Sequence, residues 1–387
     1  MRQLEEYAAK PSKLSVIESL IESGAMSRSD LAEKIGLSRS ALTELSRELI
    51  EAGLVRETSV VHDGQRQGRP SVLLALNENR GYVLGVSLQD ETALLVLCDI
   101  HGNVLQNHSF ELTTRPEACA TAIRDGMKYI LQNKGIQKKQ LLGIGLAISG
   151  FVDPHSGVCI RSNELDWSDV PIVSIVQRVT GVPTYLENDA NAVATGEKLF
   201  GNTRKLRNFT IVTLSYAIGA GHYIGGRLYR GASGGAGEIG HYTMDPSGLS
   251  CRCGKKGCLD TISGIAAMVD LARKQSLAVE NLQDIERLAS VGNTAATSIL
   301  RNAGQALGLA VSYLIQTNNP EAVLFAFIED VEGGIFLTSV RQAIENNILP
   351  RFLPTTKLLF HRAAKSFWAR GAASIAAHEF LRKQASL

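Results

Sequence analysis

The apolar positions change rhythm along the chain, and each change marks a different kind of element. Between residues 11 and 53 they recur at helical spacing: Leu14, Val16, Ile17, Leu20 and Ile21, then Leu31, Ile35 and Leu37, then Leu42, Leu45, Leu49 and Ile50. A three-helix unit is predicted. Its helix starts are marked by Ser27 before Arg28-Ser29-Asp30 and by Ser38 before Arg39-Ser40-Ala41, each offering a hydroxyl to the first unpaired amides. After Gly53 the run LVRETSVVHDGQRQGRPSVLLALN shifts to two strand-like stretches around a loop rich in Gly, Gln and Arg.

From Tyr82 strands dominate. YVLGVSL, TALLVLCDI, the turn His101-Gly102-Asn103 and VLQNHSFEL predict an antiparallel meander. A helix over about Glu117–Lys134 leads to the buried strand LLGIGLAIS, and PTYLEND precedes a helix at Ala190–Phe200. The set then recurs in outline, with FTIVTLSYAIG, GHYIGGRLYRG, helices from about Ile262, the strand EAVLFAF and closing helices. A meander followed by alternating helices and strands, used twice, predicts two α/β lobes with a cleft between them. The expected domains are 1–80, then 81–187 with a C-terminal helix within 363–387 packing back on it, then 188–362.

A helix–Gly turn–helix followed by a Gly-Arg-Pro loop is the pattern of a winged helix-turn-helix, whose second helix points its N-terminal residues at base edges and phosphates. Ser27, Arg28, Ser38, Arg39, Ser40 and Thr43 are the candidate DNA contacts of the helices. Arg66 and Arg69 are those of the wing, where a minor groove favours arginine. Charge does not make the case, because residues 1–80 carry 11 Lys/Arg against 12 Asp/Glu. The whole chain of 387 residues has a formal charge of only +2, so partners must be read from position and not from composition. No apolar run reaches membrane-spanning length and the first residues lack a secretory pattern, so a cytoplasmic protein without membrane insertion is expected.

The densest chemistry lies between Gly237 and Asp260. Gly-Glu-Ile-Gly-His is followed there by Cys251-Arg-Cys253-Gly-Lys-Lys-Gly-Cys258-Leu-Asp260. One imidazole, His241, and three thiolates, Cys251, Cys253 and Cys258, make a Cys₃His set for Zn²⁺; four protein ligands leave no open position, so such a site shapes a loop and does not activate water. Glu238 and Asp260 flank the set and can accept hydrogen bonds from the hydroxyls of a small polar ligand. Cys98, Cys119 and Cys159 stand singly in apolar surroundings and read as reduced core residues.

Taken together, the winged helix, Leu186-Glu187-Asn188-Asp189-Ala190-Asn191-Ala192, the glycine-rich run Gly219–Gly231, Gly237-Glu238-Ile239-Gly240-His241 and the three-cysteine loop resemble the ROK family of repressors, open reading frames and sugar kinases across essentially the whole chain. The resemblance implies a two-lobe actin-like (ribonuclease H-like) ATPase-type α/β fold with sugar in the interlobe cleft. It also implies that Asn188 and Asp189 meet sugar hydroxyls, with Asp189 at the position of the general base in family kinases. Glu238 stands at the sugar-binding glutamate, His241 also supports the sugar side, and Asn163 lies in a segment that approaches the sugar. Asp260 stands where family members usually carry Glu.

The phosphate-binding parts depart from the family's kinases. Gly85-Val86-Ser87-Leu88-Gln89-Asp90-Glu91 replaces an Asp-x-Gly-Gly-Thr-like turn, Ser215-Tyr216-Ala217 replaces a Gly-Thr-Gly opening, and Leu324-Phe325-Ala326-Phe327-Ile328 lacks a glycine pair. Backbone amides cradle phosphate only where side chains do not intervene. A sugar-responsive transcriptional repressor without an ATP site is therefore expected, binding a palindromic operator as a homodimer or tetramer, with a sugar or sugar phosphate as effector. The alternatives are a ROK sugar kinase and a regulator controlled by a protein partner.

Overall fold

The computed structural model describes residues 12–59, 72–89, 92–215, 217–329 and 333–386. The head consists of α1 (Lys13–Ser23), β1 (Met26–Ser27), α2 (Arg28–Ile35), α3 (Arg39–Glu51), β2 (Val55–Ser59) and β3 (Val72–Leu76). Ser27 accepts the Asp30 amide and Ser38 the Ala41 amide, so both predicted caps are made. Gly36 ends α2 in the left-handed conformation at φ 71°, which turns the chain into α3 without a Cβ penalty. The strands form an antiparallel sheet in the order β1-β3-β2.

Leu31, Leu42, Leu49, Leu54 and Leu74 are buried in the head's core. That core also takes in Ile100 and Leu381, with Leu142, Phe380 and Ala385 packed against it, so it does not close at residue 80.

By contacts the chain divides into two units. The first holds residues 1–189, 195–205 and 369–387, and the second 190–194 and 206–368. In the first unit β4 (Tyr82–Leu88), β5 (Thr92–Asp99) and β6 (Val104–Glu111) form the predicted antiparallel meander, while β7 (Leu141–Ile148) and β11 (Thr184–Asn188) run parallel to β4, giving the order β11-β7-β4-β5-β6. α4 (Pro116–Lys134) and α5 (Ile172–Thr180) belong to this unit, as does a small sheet of β8 (Phe151–Asp153), β9 (Val158–Ser162) and β10 (Trp167–Val170). The last helix, α12 (Phe367–Ser386), crosses the sheet where Gly85 and Gly145 stand: a Cβ on either would strike the carbonyl oxygens of Ala369 and Ala372 respectively. Gly85 therefore serves helix packing.

The second unit repeats the plan. β12 (Phe209–Leu214), β13 (Ile218–Ile224) and β14 (Arg227–Tyr229) are an antiparallel meander, and β15 (Ala322–Phe327) and β16 (Lys357–Arg362) are parallel to β12, in the order β14-β13-β12-β15-β16. Helices α8 (Ile265–Lys274), α9 (Leu282–Ser290), α10 (Thr294–Asn318) and α11 (Ile335–Asn347) pack around Met268, Leu300, Leu307 and Phe336 in one apolar core. The helix α6 (Asp189–Phe200) follows β11. Gly221, in the glycine-rich run after β12, admits this helix: a Cβ there would lie 2.7 Å from the Ala190 carbonyl and 2.8 Å from the Ala194 Cβ.

Candidate functional site

The Cys/His loop leaves β14 and returns at α7 (Asp260–Ser263). Its two cross-links, Thr243 opposite Cys258 and Ser250 opposite Lys256, fold it back on itself. Gly257 allows the turn, with φ 63° and no room for a Cβ against the Asp245 carbonyl. The ligand atoms of His241, Cys251, Cys253 and Cys258 all lie within 4.8 Å of one another. Cys253 Sγ and Cys258 Sγ are 3.6 Å apart, as are Cys251 Sγ and His241 Nδ1. Metal–ligand bonds of about 2.0–2.3 Å at tetrahedral angles put neighbouring donors about 3.5–3.8 Å apart, a spacing that these two pairs meet, and the four groups together could hold a metal ion. Burial and then the adjacent thiols push the Cys258 thiol well above its ordinary range. A cation among them reverses that balance by favouring thiolates.

Two carboxylates adjoin this cluster within the second unit. Glu238 lies 3.9 Å from His241 Nε2, and its carboxyl is pushed up by burial and then by Asp260, against the pull of Arg252. Asp260 is likewise pushed up, chiefly by burial, although its Oδ1 accepts the Ile218 amide at 2.8 Å and Arg252 stands 3.7 Å away. Asp260 thus ties the start of β13 to α7 in addition to offering a carboxylate. Lys255 donates to the His241 carbonyl at 2.7 Å and closes the loop from the other side.

In the first unit, Asn188 ends β11 and donates to the Gly150 carbonyl at 3.1 Å. Asp189 opens α6, where a carboxylate favours the amide-rich helix terminus. Gln89, just past β4, donates from Nε2 to Asp189 Oδ2 at 2.8 Å across a separation of 100 residues. No pattern in the sequence signals that contact. Asn163 sits in the exposed turn after β9, its Oδ1 accepting from Arg161 Nε at 3.1 Å.

On the head, Arg39 is exposed at the first position of α3, with Ser40 and Thr43 exposed on the same helix. Thr43 spends its hydroxyl proton on the Arg39 carbonyl, and Ser38 and Ser40 share a hydrogen bond. Arg28 is engaged within the head: Nε donates to Ser46 Oγ at 3.3 Å and Nη2 reaches Glu57 at 2.6 Å. It braces α2 against α3 and β2. Arg66 and Arg69 lie outside the described residues, as do Asp90, Glu91 and Tyr216.

Sequence reasoning passed over His222 on β13. Thr210 Oγ1 lies 3.0 Å and Asn318 Nδ2 3.4 Å from its Nδ1, and burial lowers its pKa to about 4, so it is a neutral core imidazole.

Comparisons with known proteins agree with this architecture. The Bacillus spizizenii protein named xylose repressor is 29% identical over 378 residues, 97% of each chain. A crystal structure of a ROK family transcriptional regulator, a homologue of the E. coli Mlc protein, matches with TM-score 0.81 and 26% identity over 96% of this chain and 98% of that one. A ROK family glucokinase from Streptomyces griseus, solved with glucose and AMPPNP, matches 77% of this chain and 100% of its own with TM-score 0.67 and 24% identity, a likeness of fold. Residues 10–64 match the MarR family, as a winged head should. With residues 83–379 matching the ROK family over the whole two-sheet body, the chain belongs to the ROK family.

Proposed function

We propose that this protein is a sugar-responsive DNA-binding transcriptional regulator, a repressor of genes for carbohydrate uptake or breakdown, and that it transfers no phosphate. The observation that carries the reading is the pairing, in one chain, of a capped α3 presenting Arg39 with a body in which Gln89 holds Asp189. A general base needs a phosphoryl donor held in line, and a phosphate cradle needs bare backbone at the place where Gln89 extends its side chain. Relatives matched end to end, one named a xylose repressor and one a ROK family transcriptional regulator, support the same reading.

On this reading Asp189 accepts hydrogen bonds from sugar hydroxyls, aided by Asn188 and Asn163 in its own unit, while Glu238, His241 and Asp260 serve in the second unit. Glu238 and Asp260 are costly to keep ionised where they are, so a hydroxyl donor gains more from them than from exposed carboxylates. Zinc is the metal whose donor preference the Cys₃His set meets, and His241, Cys251, Cys253 and Cys258 would hold it as a closed structural site. The protein acts as a homodimer or tetramer, because two-fold partners read the half-sites of a palindromic operator.

The test is operator binding with and without monosaccharides, paired with titration calorimetry of ATP and Mg²⁺. The expected outcome is a sugar-dependent change in operator affinity, no heat from ATP, and a loss of about 1–3 kcal/mol of operator affinity in Arg39→Ala. Sugar-dependent phosphate transfer from ATP would replace this reading with the sugar kinase.

A further inference from the structure

The first residue of α6 is the proposed effector ligand, Asp189, and near its other end stands Lys198. Nine helical steps of 1.5 Å separate them, a span of roughly 14 Å. Lys198 Nζ reaches Glu22 Oε1, on α1 of the head, at 3.3 Å and donates to the Arg204 carbonyl at 2.8 Å. Glu22 in turn uses Oε2 to take Lys34 Nζ of α2 at 2.9 Å, and Lys34 also donates to Ser23 Oγ at 2.8 Å. One carboxylate is thus shared between the head's own α1–α2 pair and the helix that Asp189 begins.

The setting suits a mechanical link. The Lys198 side chain is 13% exposed and that of Glu22 28%, so water screens this pair less than an ordinary surface pair. Asn191, Ala192, Val193, Ala194, Thr195 and Glu197 are buried, and a helix held in close-packed surroundings shifts as a body before it bends. Where α6 meets α12, a Cβ on Gly196 would lie 3.2 Å from the Gly371 Cα and 3.3 Å from Ser374 Oγ, so backbone faces backbone there. Beyond α6 the Glu197 carboxylate accepts the Asn202 amide, which locks the following turn to the helix end.

We propose that α6 is the lever that couples effector to operator, and that the Lys198–Glu22 ion pair is its grip on the DNA-reading head. The proposal rests on Asp189 as an effector ligand. Lys198 touches neither sugar nor DNA in this scheme; it is a positioning residue whose loss uncouples two intact binding events.

The full-length protein is assayed against the tightest duplex it selects from random DNA, by fluorescence anisotropy, with D-xylose, D-glucose, D-mannose, D-galactose and N-acetyl-D-glucosamine as probes. Sugar affinity is measured separately by calorimetry without DNA. Linked sites of this kind change one another's affinity by about 5- to 150-fold. In Lys198→Met and in Glu22→Gln that factor falls toward one, while sugar affinity alone and sugar-free operator affinity stay within about twofold of the parent. Lys198→Arg, which keeps the charge, retains the coupling. Parent-like coupling in a folded Lys198→Met protein overturns the lever and leaves the regulator reading standing. A parent that binds its duplex but responds to none of the sugars overturns the effector reading and the lever with it.

Discussion

Set side by side, the two five-stranded sheets share one strand order but reach their chemistry by different routes. In the first, residues of the candidate site converge from far along the chain: Gln89 follows the first strand of the meander, and Asp189 follows the last parallel strand. In the second, His241, Cys251, Cys253 and Cys258 gather within one loop. The strand order supplies only the platform; what hangs from its connections decides what each half can bind. A local loop can be closed by a metal, whereas a contact between distant strands depends on the whole sheet forming first.

The largest expected effect breaks the second half of that contrast. Cys258→Ser, or removal of metal with a strong chelator, should strip zinc and destabilise the second unit by several kcal/mol, within the roughly 10–16 kcal/mol that such sites contribute in small zinc-dependent peptides. Metal analysis and thermal unfolding measure it, and a zinc-free parent of full stability would refute the structural metal site.

Next comes His222, which belongs to the second sheet's fabric. Its pKa is about 4 in the folded protein, below the ordinary 6.5, so its contribution to stability is complete above about pH 6.5 and is lost as pH falls toward 4. That lowering corresponds to about 3 kcal/mol. Unfolding free energy measured across that window should fall less steeply in His222→Gln, and parallel slopes would contradict the assignment.

On the first sheet, Asp189→Asn keeps the shape but replaces a charged acceptor with an amide. Sugar affinity should drop by about 1.5–3 kcal/mol while sugar-free operator binding persists. Calorimetry with the responding sugar decides, and unchanged affinity would remove Asp189 from the site. Gln89→Ala should do less, about 0.5–1.5 kcal/mol, because it removes a partner of Asp189 and not the acceptor itself. A loss equal to that of Asp189→Asn would mean that Gln89 touches the sugar directly.

The same contrast explains what could be read from the amino-acid order alone. Ser27 and Ser38 act over three residues, the cysteine loop over a score, and the meanders over neighbouring strands, so their patterns are written locally. The repetition of the sheet plan was likewise visible as a recurring rhythm. Gln89 meeting Asp189, Lys198 meeting Glu22, and the buried imidazole of His222 depend on which strands and helices become neighbours, and no spacing encodes that. The need for Gly85 and Gly221 is equally hidden in the sequence, because only the folded structure shows a helix pressing on the sheet where each stands.

The apolar core of the head, which runs on into Ile100, Leu142, Phe380 and Leu381, bears on how such proteins can be assembled in evolution. A crossover at residue 80 would not exchange a self-contained bead, because it would tear that core and leave a foreign head facing side chains from the opposite end of the chain. New operator preferences are therefore acquired more cheaply by altering the exposed face of α3 than by swapping the head, and an engineered chimera must carry a matching set of residues from α12 along with its new reading helix.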